Sequence, residues 1–278
     1  MATLTNRLKT PLWAWVVITL AAIFFVLPML AMARFAFQRV PVALLGRNTL
    51  FDRWTLDGLV DMFRDPDFRP ALWLSLRISV LTVALTLLVM LPTALWVNVQ
   101  APRLRSMVET ATLLPYVIPP IALVVGAGGA FRDLAPWFLR SDYCLVPFYA
   151  VLAMPFTFRS LDTGLRSIDL KTLIEASRSL GAPPTTTLLR VVVPNISSAL
   201  LGTIFLTITV VLGEFTIASL LLKPTLPLYM SYSQGRNPQG ALGLAILLLA
   251  LTTLLFFGAT RLRRRGADRK TIRIGAMP

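Results

Sequence analysis

Six apolar runs, separated by more polar stretches, constrain this chain more than any other feature. They fall at about 12–33, 72–97, 107–129, 145–158, 191–212 and 241–260. A helix that crosses a bilayer needs about 20 apolar residues, and most of these runs reach that length. Charge settles the matter. Only 14% of the 278 residues are charged and 56% are hydrophobic, whereas a soluble domain carries about 25% charge. The expected fold is all-α: a single polytopic membrane domain over 1–278 with six transmembrane helices. The fourth run is the shortest and carries Pro147 and Pro155. Pro155 lacks an N–H and is expected to kink that helix or end it early. The first run follows Arg7 and Lys9, as in a signal peptide. It is too long for a signal core, and no small-residue cleavage pattern follows it cleanly, so a retained helix is expected.

The formal net charge is +14, and its placement gives an orientation. With the N-terminus inside, the cytoplasmic segments hold Arg7, Lys9, Arg103, Arg105, Arg159, Arg166, Lys171, Arg178, Arg190 and the seven basic residues from Arg261 to Arg273. Those are 16 of the 27 basic residues, which favours an N-in, C-in arrangement by the positive-inside rule. Half of the external ones lie in 35–70, beside Asp52, Asp57, Asp61, Asp65 and Asp67. The basic tail follows a span directly. It reads as an anchor that meets anionic lipid, and it has no interleaved aromatics to stack nucleic-acid bases. The chain has no histidine and one cysteine, Cys144. That excludes an internal disulfide, a histidine-based zinc site and histidine-dependent catalytic triads.

Between the fourth and fifth runs lies an organised polar segment, 165–190. Asp169 can cap a helix whose apolar face carries Leu170, Leu173, Ile174, Ser177 and Leu180 or Gly181 at spacings of three and four. Gly181 can end it in a left-handed conformation, and Pro183 and Pro184 stop it resuming. Thr185, Thr186 and Thr187 are then available to cap a new start. The helix either lies on the membrane surface or docks a cytoplasmic partner; Ala176, Ser177 and Ser179 are small enough for close approach.

This segment closely resembles the cytoplasmic loop of permease subunits in binding-protein-dependent ABC importers. That pattern is Glu-Ala-Ala, three residues, Gly, nine residues, a branched apolar residue, one residue, an apolar residue, then Pro. Glu175, Ala176, Ser177, Gly181, Val191, Val193 and Pro194 fall in register, with Ser177 in place of the second alanine. The wider resemblance covers about 72–261. Within it, 159–181 is similar to permeases for spermidine, putrescine and 2-aminoethylphosphonate. The resemblance implies the fold of a type I importer permease. It implies a coupling helix that sits in a groove of an ATPase subunit, with Glu175, Ala176, Ser177 and Gly181 at the contact and Arg166 and Asp169 at its edge. It also implies two ATPase subunits, a second permease that is a different chain, and an external solute-binding protein. No cofactor is expected on this chain. ATP and Mg would belong to the ATPase subunits, in keeping with the absence here of a Gly-rich loop ending in Lys-Ser or Lys-Thr. The setting implied is a bacterial inner membrane.

Two features point to a transport path. Glu214 is the one acid in the strongly apolar stretch VLGEFTIASLL, where an ionised carboxylate must face protein or water. It either caps or pairs with a structural group or acts at a gate, with Gly213 beside it allowing a bend. The Leu-Gly-Glu-Phe pattern also resembles the corresponding region of polyamine, phosphonate, iron and sulfate-type importer permeases. Pro115, Pro119 and Pro120 interrupt the third run ahead of Gly126, Gly128 and Gly129; such a break makes a hinge, exposes carbonyls to a cavity, or simply kinks a packing helix. Arg77 is expected to snorkel toward headgroups, and Glu109 to sit near a helix N-terminus. An ion-coupled secondary transporter is the alternative function, but it would need an acidic relay of which Glu214 is the one candidate. An intramembrane enzyme would need a base for Cys144.

Overall fold

The computed structural model describes residues 12–38 and 53–274, with side chains up to Arg261 apart from a few positions. Arg7, Lys9, Asp52 and the tail side chains beyond Arg261 therefore lie outside the described residues. The helices are α1 (Leu12–Phe37), α2 (Asp57–Arg64), α3 (Phe68–Val99), α4 (Arg105–Val117), α5 (Pro120–Leu134), α6 (Pro136–Arg140), α7 (Leu145–Arg166), α8 (Leu170–Ser179), α9 (Pro184–Thr186), α10 (Val193–Asn195), α11 (Ser197–Gly213), α12 (Thr216–Leu220), α13 (Leu226–Ser233) and α14 (Pro238–Ile274). Among the described residues the sole β feature is an isolated bridge between Gln38 and Trp54. Four helices are long and apolar enough to cross a membrane, and six spans result if each of two bent pairs counts as one. The pairs are Pro102–Val117 with Pro120–Leu134, bent by 90°, and Pro184–Asn195 with Ser197–Gly213, bent by 82°.

The chain divides into two units. The first comprises 1–65 and 232–250. In it, α2 crosses the start of α14 at two glycines: a Cβ on Gly240 would overlap the Gly58 carbonyl. Asn237 ties the crossing, its Nδ2 donating to the Gly58 carbonyl (2.8 Å) and its Oδ1 accepting from the Gly240 amide (2.8 Å). The second unit comprises 66–231 and 251–278, and its centre is α3, α7 and α11.

The side of α3 facing that centre carries Ser75, Ile78, Ser79, Thr82, Thr86, Met90, Ala94 and Val97, all buried. Its outer side carries Trp73, Val80, Leu88 and Trp96. Small hydroxyl residues inside and large apolar ones outside is the pattern expected where lipid replaces water and close packing holds helices together. The buried hydroxyls donate to carbonyls one turn back: Ser79 to Ser75 (2.8 Å), Thr86 to Thr82 (2.6 Å), Thr157 to Ala153 (2.9 Å) and Thr207 to Thr203 (2.9 Å). Where α7 meets α11, Gly164 lies so close to Ala199 that an added Cβ would overlap it. Ser160 donates to the Ala199 carbonyl at the same crossing (3.0 Å).

Of the two outcomes expected at Pro155, the early end does not occur; α7 continues to Arg166. Pro155 is buried in the three-helix centre, so tertiary packing there outweighs the missing N–H. The break in the third apolar run falls at Ile118–Pro119, where the chain is extended at both residues. Gly126, Gly128 and Gly129 of α5 leave open space around them in the described chain.

Candidate functional site

The polar segment 165–190 folds as a helix, a tight turn and a second helical piece. Asp169 caps α8, its carboxylate accepting from the Thr172 amide (3.4 Å). Gly181 has φ +76°, the left-handed conformation that favours glycine. Two backbone bonds close the turn, Gly181 N–H to Arg178 O (2.8 Å) and Ala182 N–H to Ser177 O (3.1 Å). The threonines do not cap the next helix as expected. Pro184 takes its first position with no side-chain cap, where a proline's missing N–H costs nothing. From Thr187 to Val192 the backbone winds as a π-helix, leading into α10 and the bend before α11.

Leu170, Ile174, Leu188, Val192 and Ile196 pack with Val97, Phe158 and Leu165 in one apolar cluster. The inner side of α8 is therefore bound to the bundle. Arg166, Asp169, Glu175, Ala176, Ser179 and Gly181 remain exposed, whereas Ser177 is buried (6% exposed). It lies 2.8 Å from the Thr187 hydroxyl, which itself donates to the Pro183 carbonyl (3.2 Å). Since that bond uses the Thr187 proton, Ser177 is the donor to Thr187. The relay fastens α8 to the start of the π-turn, a connection that helical periodicity does not reveal.

Beside the segment sits a buried carboxylate that the sequence reading passed over. Asp162 of α7 is bound by Arg105 of α4 through Nη2 to Oδ2 (2.6 Å) and Nε to both oxygens (3.0 Å each). Asn98 of α3 donates to Oδ1 (3.0 Å), and Arg166 stands 4.0 Å away. One side chain thereby ties α3, α4 and α7 where α8 begins. A lone acid at the end of an apolar run was the available clue. Glu109 pairs with Arg159 (2.9 Å), four residues into α4 rather than at its N-terminus. Arg77 is exposed on α3.

Where the chain breaks between α4 and α5 and again between α11 and α12, a cavity of about 510 Å³ opens, within the range of small-molecule sites. Tyr116, Ile118 and Pro120 line it from the first break, Leu152 and Phe156 from α7, and Gly213, Glu214 and Phe215 from the second break. Pro119 lies in the first break but is not among the lining residues. Both Glu214 oxygens accept from the Ile217 amide (3.0 Å each), which orients the carboxylate at the start of α12. Tyr116 and Phe156 meet edge to face, their ring centres 5.6 Å apart. Among the described residues no group of three or more Cys, Asp or Glu is placed to hold a metal ion.

Comparison with known proteins agrees with this architecture. Residues 90–267 match the family described as binding-protein-dependent transport system inner membrane component. A permease protein of Escherichia coli named for putrescine transport is 27% identical over 94% of each chain. A permease protein of Salmonella typhi named for 2-aminoethylphosphonate transport is 26% identical over 81% of this chain and 90% of its own. One of Haloferax volcanii named for molybdenum transport is 28% identical over 60% of this chain and 66% of its own. The chain belongs to the family of binding-protein-dependent transport system inner membrane components, as a non-catalytic, multi-pass permease of an ABC-type importer for a small solute.

Proposed function

We propose that this chain forms half of a translocation path, spans the membrane six times with both termini in the cytoplasm, and is driven through α8 by separate ATPase subunits. A second permease, a different chain, supplies the other half. An external binding protein delivers the solute, a polyamine, an aminoalkylphosphonate or a similar small molecule, a class that the names of two relatives support. The observation that carries the reading is the unit formed by α8, the Gly181 turn and the π-turn. Its outer side exposes Glu175, Ala176 and Gly181 for docking, with Arg166 and Asp169 at the edge. Ser177 acts from within, holding α8 to Thr187. Closure of two ATP-bound ATPase subunits would push this unit. The adjoining bend would pass the motion along α11 to Gly213 and Glu214, where the path opens alternately to either side; Pro119 and Pro120 provide the facing hinge.

The test is to reconstitute the complete importer with Glu175→Ala or Gly181→Ala. Alanine at φ +76° costs about 1–2 kcal/mol locally, which displaces the turn without preventing membrane insertion. Both variants should hydrolyse ATP with little solute transported per ATP. Wild-type stoichiometry in both would remove α8 from the coupling role.

A further inference from the structure

The cavity at the helix breaks has a chemical bias that family membership does not supply. Its one charged lining group is the Glu214 carboxylate, and three aromatic residues, Tyr116, Phe156 and Phe215, share its wall. No lysine or arginine lines it. A second observation concerns the group behind Glu214. Tyr149 is 1% exposed, and its hydroxyl lies close enough to Glu214 to interact with the carboxylate, so a buried neutral donor backs the one charged group of the wall.

We infer that this cavity is a transit site for a small organic ammonium ion, held by the Glu214 carboxylate and the faces of the surrounding aromatic rings. The inference rests on the permease reading above and narrows its solute class. An ammonium group can donate to the carboxylate and is attracted to aromatic faces within about 6 Å. A phosphonate or an oxyanion finds no basic side chain in this wall, and Glu214 repels it. The site thus favours amines over solutes that carry negative charge alone.

The experiment uses the complete importer in lipid nanodiscs without its external binding protein. Direct binding is measured for putrescine, butylamine, ethylphosphonate and molybdate. Putrescine should bind saturably, at least about tenfold more tightly than either anionic probe. Glu214→Gln keeps an oxygen for the Ile217 amide and removes the charge. It should weaken putrescine binding about tenfold to a hundredfold at an unchanged melting temperature. Tyr116→Leu should weaken it less and leave the anionic probes unaffected. The inference falls if no amine binds saturably, if an anionic probe binds more tightly than putrescine, or if Glu214→Gln binds putrescine as the wild type does. ATP-driven uptake of some other solute would then leave the permease reading standing. A preparation that couples no solute to ATP would instead remove that reading first.

Discussion

Removing Arg105 should harm this protein more than neutralising its partner Asp162, although each substitution breaks the same ion pair. The asymmetry follows from exposure. The Asp162 side chain is 4% exposed and that of Arg105 is 37% exposed. Removing one partner of a buried pair typically costs about 3–5 kcal/mol, because the other charge stays buried. After Arg105→Ala, Asp162 would retain Asn98 at 3.0 Å and Arg166 at 4.0 Å. That partial compensation lowers the expected cost to about 2–3 kcal/mol. After Asp162→Asn, the Arg105 head can turn to water, and the expected cost is about 1 kcal/mol. For a chain of this size each kcal/mol moves the melting temperature by about 2 °C. The apparent melting temperature, followed in detergent by size-exclusion chromatography, should fall about 4–6 °C in Arg105→Ala and about 2 °C in Asp162→Asn. The double variant should melt above Arg105→Ala alone, since it no longer buries a charge without its partner. A larger loss in Asp162→Asn than in Arg105→Ala, or simple addition in the double variant, would refute the reasoning.

The hydroxyl relay and the orientation give further outcomes. Thr187→Val leaves both the Ser177 hydroxyl and the Pro183 carbonyl without a partner, so it should cost about 1–2 kcal/mol, and Ser177→Ala only about 0.5–1 kcal/mol. Thr187→Val should also lower the solute moved per ATP in the reconstituted importer; the reverse order of melting temperatures would exclude the relay. Cys144 is fully buried, so a Cys144→Ser background allows single cysteines to report sidedness. In intact cells an impermeant maleimide should label Leu56→Cys and spare Thr271→Cys, and the opposite pattern would overturn the N-in, C-in arrangement.

The helical segments were legible because lipid demands length and apolarity, and both are written in the order of residues. The cap at Asp169, the turn at Gly181 and the break at Pro119 were legible for a similar reason. Each depends on backbone chemistry within a few residues. What stayed hidden was pairing across the chain. Asp162 reads as one acid in a loop-like stretch until Arg105, 57 residues earlier, closes on it. Ser177 reads as a small residue on the apolar face of its helix until the Thr187 hydroxyl accepts a hydrogen bond from it.

The same division runs through the whole protein. Local order and apolar length by themselves determined a helical membrane chain with a shaped polar loop, and the loop pattern pointed to its family. Apolar length by itself does not say which side of α3 faces its neighbours; small hydroxyl residues at 75, 79, 82 and 86 mark one side, but packing alone shows that it is the inner one. Tertiary packing decided that, by bringing the hydroxyls of α3, α7 and α11 together where helices can approach closely. It also carried α7 through Pro155 to Arg166, turned Ser177 inward and gathered two distant helix breaks around Glu214. Each of those outcomes depends on which residues meet across space, and spacing along the chain does not encode it.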